Sequence, residues 1–183
     1  TVNDADDAAV TAANLSTLGG KTAGTVTVSN AVAITGSVAE ATAALVTAGT
    51  KVSVSDAKVT VSDADGVGIT ASELSDIGSS TTGVVTVTNA VAITGTAAEV
   101  TAALVTAGSL VVVSDAAVTI TGNPTITELN NIAAKTTGVV TATLAAASLS
   151  DLGDLSTAAT DDITITVNDA DDAAVTAANL STL

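Results

Sequence analysis

Apolar β-branched residues alternate with threonine and serine in short runs that return at near-regular intervals along the chain. The alternating pairs are Val26 and Val28, Val52 and Val54, Val85 and Val87, Val111 and Val113, Val140 and Ala142, and Ile165 and Val167. A period of two predicts a strand with one buried face. Three residues after each pair stands a small Ala: Ala31, Ala57, Ala90, Ala116, Ala145 and Ala170. A second extended stretch follows, as in VAITG (32–36) or VTITG (118–122). Then comes a helix start, Ser or Thr with Glu three residues later, at Ser37/Glu40, Thr70/Glu73, Thr96/Glu99 and Thr125/Glu128. The hydroxyl accepts from the N3 amide while the carboxylate reaches back to the N-cap amide. Thr11/Asn14 and Ser148/Asp151 are weaker versions. Leu then pairs with Leu or Ile three residues on, at Leu15/Leu18, Leu74/Ile77, Leu129/Ile132 and Leu152/Leu155, which turns one apolar edge of a helical turn inward.

The pattern is nested in a longer repeat. Thr1–Leu18 recurs without change as Thr166–Leu183, so one full period runs from Thr1 to Ile165. Within that period, residues 25–51 and 84–110 agree at 20 of 27 positions. The segments 1–24, 25–51, 52–83, 84–110, 111–138, 139–162 and 163–183 each read strand, strand, short helix. The identical ends are expected of an excerpt from a longer tandem array, with one continuous segment over 1–183.

A unit of this size cannot bury its apolar face alone, and stacking on copies of itself is the remedy. The expected fold is a repeat solenoid, a parallel β-solenoid with a short helix per coil and a leucine-rich-repeat-like architecture. About six coils fill each 165-residue period. The first Val of each pair, from Val26 through Val52, Val85, Val111 and Val140 to Ile165, should then form one inward column. Thr27, Ser53, Thr86, Val112, Thr141 and Thr166 should form an outward one. The single proline, Pro124, falls at a helix entrance, where its missing amide matters least.

Composition agrees with a thin core. Ala, Thr and Val number 38, 34 and 26 of 183 residues, and Phe, Tyr, Trp, His, Cys, Met, Arg and Gln are absent. Without His or Cys there is no zinc, haem or iron–sulfur site of the ordinary kind and no imidazole base. Four Lys against nineteen Asp and Glu, with no aromatics, remove both main terms of nucleic-acid binding. The longest charge-free run, 77–98, is rich in Thr, Ser, Gly and Asn and reads as strand and turn, so membrane insertion is not expected. Lys21, Lys51, Lys58 and Lys135 are expected in loops or turns.

Three features could carry chemistry. VNDADDAAVT (2–11) aligns with VSDADGVGIT (61–70), which sets Asp4, Asp6 and Asp7 beside Asp63 and Asp65 in the repeat; the second copy supplies Asp169, Asp171 and Asp172. Closely spaced carboxylates with turn carbonyls are suitable ligands for Ca²⁺, although neither an EF-hand loop nor a glycine-rich nonapeptide is present. The same residues also serve as ordinary turn formers. The outward Thr/Ser columns resemble the face of ice-binding solenoids, while Thr is equally the polar residue most at ease in a strand. Paired carboxylates could serve a glycosidase, but no aromatic platform or basic clamp accompanies them, so no enzyme is expected.

The run ITxxELxxIxxxTTGVVTVT (69–88) resembles the repeats of very large secreted bacterial proteins built of tandem β-strand repeats, including those of marine cyanobacteria. That resemblance implies an extracellular or cell-surface location and a structural or adhesive role, and it carries no catalytic residues. The leading expectation is a filament, sheath or surface layer whose partner is itself, through neighbouring repeats and parallel chains. The alternative is a calcium-dependent surface adhesin or stalk.

Overall fold

The computed structural model describes residues 1–170, and each of the six helix starts forms. Helix α1 spans Ala12–Gly19, α2 Val38–Ala41, α3 Ala71–Ser79, α4 Ala97–Val100, α5 Ile126–Ala133 and α6 Leu149–Leu152. All four Ser/Thr–Glu pairs make complete capping boxes. Thr11 and Ser148 cap with their hydroxyls alone, accepting from the amides of Asn14 and Asp151. The helices take three forms, of which the four-residue α6, with no π-helical turn after it, is the shortest. Three are eight- or nine-residue α-helices, whereas α2 and α4 pass into five-residue π-helical turns at Thr42–Val46 and Thr101–Val105.

The strands are β1 Ala9–Thr11, β2 Val26–Thr27, β3 Ala33–Gly36, β4 Val52–Ser53, β5 Lys58–Val61 and β6 Gly68–Thr70. They continue with β7 Val85–Val87, β8 Ala92–Thr96, β9 Val111–Val112, β10 Ala117–Thr121, β11 Val140–Thr143 and β12 Asp162–Thr164. Every pairing is parallel, so the molecule alternates parallel sheets with short helices. One five-stranded sheet runs β1-β3-β5-β7-β9, a second runs β12-β11-β10-β8-β6, and β2-β4 form a two-stranded sheet.

This corrects the expected single column of first strands. Val26 pairs with Val52 and Val85 with Val111, as expected. However, Val85 lies beside Val59 rather than Val52, and Val140 beside Val118 rather than Val111. The cause is the 52–83 unit, which carries three strands where its neighbours carry two. Its first two strands align with the unit before it and its last two with the unit after it. It therefore hands the ladder from one sheet to the next. The 139–162 unit keeps only β11, which takes its partner from the last strand of the unit before.

The core is one continuous aliphatic cluster between sheets and helices. Ile34, Val59 and Val85 form one buried rank and Ile69, Ile93, Val118 and Val140 another, with Leu15, Leu74, Ile77, Leu129, Ile132 and Leu152 facing them from the helices. Leu18 departs from the expected pairing and is 45% exposed. Between α5 and the shorter α6 lies a cavity of about 380 Å³ lined by Ile126, Asn130, Ala146 and Asp151 among others. Asn130 bridges this layer, donating to the Asp154 carbonyl at 2.8 Å and accepting from the Ser156 amide at 2.9 Å.

Candidate functional site

The acidic clusters lie where one unit meets the next, and they make the same contacts twice, once around Asp4 and again around Asp63. In the first, the Asp4 carbonyl accepts from Asn30 Nδ2 and Asp6 Oδ1 from the Ala31 amide at 3.0 Å. In the second, the Asp63 carbonyl accepts from Asn89 Nδ2 at 2.6 Å and Asp65 Oδ1 from the Ala90 amide at 3.0 Å. Asp7 (φ 60°) and Gly66 (φ 75°) occupy equivalent left-handed positions, and their amides donate to the carbonyls of Ala31 and Ala90. A left-handed turn is available to Asp and Gly at small cost, which fits both residues to this corner.

Two members of the set reach back to the start of a helix in the preceding unit. Asp63 Oδ2 accepts from the Val38 amide at 2.7 Å, and Asp169 Oδ2 from the Leu149 amide at 3.1 Å. Both amides belong to the first helical residue, an orphan donor that favours a negative partner. Asp171 and Asp172 lie outside the described residues. Among the described residues no three carboxylates converge closely enough to hold a metal ion.

Lys58 is not in a turn: it opens β5, and its ammonium lies 2.7 Å from Asp7 Oδ1. The hydrogen bond and charge of Asp7 raise its pKa, with Asp6 adding a smaller push. Both side chains are more than half exposed, so the pair contributes little to stability. The Glu99 and Glu128 carboxyls are held below their ordinary range by hydrogen bonds from the backbone and side chain of Thr96 and Thr125.

A second set of contacts, which ties the end of a unit back to its own first turn, had no counterpart among the sequence patterns. Thr81 Oγ1 donates to the Ala57 carbonyl at 2.6 Å and accepts from the Gly83 amide at 3.0 Å, while Thr82 donates twice to the Ser55 carbonyl. Thr136, Thr137 and Gly138 repeat this over Ala116 and Ser114. A Cβ on Gly83 would lie 2.3 Å from the Ala57 oxygen, so only glycine lets the chain lie this close. The signal available was the TTG triplet itself, present once in each of the two units whose first strand ends in an SDA turn.

The outward face differs from the expected columns. Thr11, Thr35, Thr60 and Thr86 stand in one rank, closed by Val112. Thr70, Thr94, Thr119 and Thr141 stand in another, closed by Asp162. No described helix is long and apolar enough to cross a membrane. Compared with protein-family models, curated proteins and solved structures, the chain matches none.

Proposed function

We propose that the chain is part of a tandem parallel β-solenoid, leucine-rich-repeat-like in having a strand face and a short helix in each coil. Its role in this reading is structural and non-enzymatic: it builds an extracellular filament, sheath or surface layer by adding copies of one period. One observation carries the reading, the agreement of two periods. Val2 and Val167 hold the same place in consecutive copies of the repeat. Between them the ladders advance six strands, through Val28, Val54, then Val59 to Val85 and Val111, then Val118 to Val140 and β12. At ~4.8 Å per step this amounts to ~29 Å per period. The doubled contacts of the Asp turns, which act between units, and of the TTG triplets, which close each unit on its own first turn, also support it.

Electron microscopy of material carrying many periods tests the proposal. Thin filaments of constant width with an axial repeat of ~29 Å are expected, and compact particles would refute it. A second reading, ice binding, is favoured by the two ranks of four threonines; a thermal-hysteresis measurement on the purified chain decides it, and freezing at the solvent's own melting point removes it.

A further inference from the structure

The segment Thr1–Asp4 occurs again as Thr166–Asp169, and the two copies have different neighbours. As residues 166–169 it lies against the unit before it. The Ala147 amide donates to the Thr166 carbonyl at 3.2 Å, the Asn168 amide donates to the Ala147 carbonyl at 2.9 Å, and Asp169 Oδ2 takes the Leu149 amide. As residues 1–4 it lies against the unit after it. The Val2 amide donates to the Thr27 carbonyl at 2.8 Å, the Ser29 amide donates to the Val2 carbonyl at 3.2 Å, and the Asp4 carbonyl takes Asn30 Nδ2.

These two sets of bonds use different atoms. One edge takes the carbonyl of the Thr and the amide of the Asn; the other takes both backbone groups of the Val between them. That is the alternation of a central strand in a parallel sheet, where each edge engages every second residue. The aspartate divides in the same way, with its carboxylate toward the earlier helix and its carbonyl toward the later Asn. Asp63 makes both contacts at once inside the period, to Val38 and to Asn89. Its two-sided geometry is therefore present in the chain already.

From this complementarity we infer that Thr166–Asp169 is the joint between consecutive periods: a central strand in a ladder running from Ala147 through Val167 to the next period's equivalents of Val28 and Val54. Asp169 ties helix α6 of one period to the asparagine turn of the next. The partner of this edge is a second copy of the same period, following in the same chain. The inference rests on the tandem-array reading and adds to it that periods join without a hinge.

Backbone hydrogen exchange on two proteins tests this, the chain as it stands and the same chain extended by one further period. The Val167 amide has no acceptor among the described residues, and the joint gives it the carbonyl equivalent to Thr27. Its exchange is expected to slow by about a hundredfold or more in the extended chain, as for an amide that opens only with its layer. Unchanged exchange overturns the joint. Asp169→Ala in the extended chain should return Val167 part of the way toward fast exchange, whereas Asp169→Asn, which keeps an acceptor, should hold it slow; equal exchange in both variants also overturns the role of Asp169. Small-angle scattering of the extended chain separates the joint from the filament reading. One stiff body with a slow Val167 amide supports the joint whatever the microscopy of longer arrays shows. Two bodies on a flexible link refute the joint and leave the filament reading standing in a beaded form.

Discussion

Thr81 is one of two buried polar residues among the described residues, at 6% exposure, and both of its hydrogen bonds are made by one hydroxyl. Thr81→Val keeps the shape of the side chain and removes that oxygen. The Ala57 carbonyl loses its short donor and the Gly83 amide its acceptor, at a place where the chain at Gly83 lies directly against the Ala57 backbone of the same unit. Each unsatisfied buried group costs about 1–3 kcal/mol, so a loss of about 3 kcal/mol is expected for the pair. In a chain of this size that lowers the melting temperature by about 6–12 °C. Thr81→Ser keeps the hydroxyl and loses one methyl, at about 1 kcal/mol. Thr22→Val is the control, since the Thr22 hydroxyl accepts from the Gly24 amide in an exposed turn, and a change within about 0.5 kcal/mol is expected there. Equilibrium unfolding in urea, followed by far-ultraviolet circular dichroism, measures all three. A Val variant no less stable than the Ser variant would show that the clamp is packing alone.

Other outcomes follow from the same contacts. Thr125→Ala removes one half of a capping box and should cost about 1 kcal/mol in the same urea titration. The Glu99 and Glu128 carboxyls have folded pKa values below their ordinary 4.5, so their stabilisation is present above that pH and is lost as pH falls through the folded values. Glu99→Gln with Glu128→Gln should therefore flatten the fall of melting temperature on acidification below that ordinary value, which a calorimetric pH series measures. Gly78→Ala gains about 1 kcal/mol of helix propensity. It also sets a Cβ 2.3 Å from the Ser109 carbonyl oxygen, an overpacking that costs about 1–3 kcal/mol. Net destabilisation is expected in thermal melts, in contrast to Gly108→Ala, which meets nothing within 4 Å. Calcium against chelator should leave the melting temperature unchanged, because Asp6, Asp63 and Asp65 already accept backbone amides. A site with calcium at a hundred times its Kd would instead add about 2.7 kcal/mol.

Local features were legible and partners were not, for a physical reason. A capping box closes within four residues, so Thr70 and Glu73 contain all the information it needs. The units 25–51 and 84–110 likewise share their π turns and the left-handed residues Lys51 (φ 53°) and Leu110 (φ 52°). Yet β2 pairs in the two-stranded sheet and β7 in a five-stranded one. Strand pairing depends on the length of the unit next door, and the third strand in 52–83 is what decides it. The Asp clusters divide the same way. Their preference for turns is written in the residues, but the bonds of Asp6 to Ala31 and of Asp63 to Val38 span 25 positions. Thr81 and Ala57 are 24 apart. Nothing local marks those partners until the stacking is known.

The thinly held layer at α6 has a mechanical consequence. Units 84–110 and 111–138 are joined by two ladders, β7-β9 and β8-β10. Units 111–138 and 139–162 are joined by β10-β11 alone, with Asn130 and the Ala145–Pro124 bond beside it. In a quasi-one-dimensional stack each interface opens according to its own strength. A rod made of these periods would then be compliant around the α6 layer of each period, at regular intervals of ~29 Å. Under tension or heat it would give way first at those evenly spaced layers and keep the blocks between them intact.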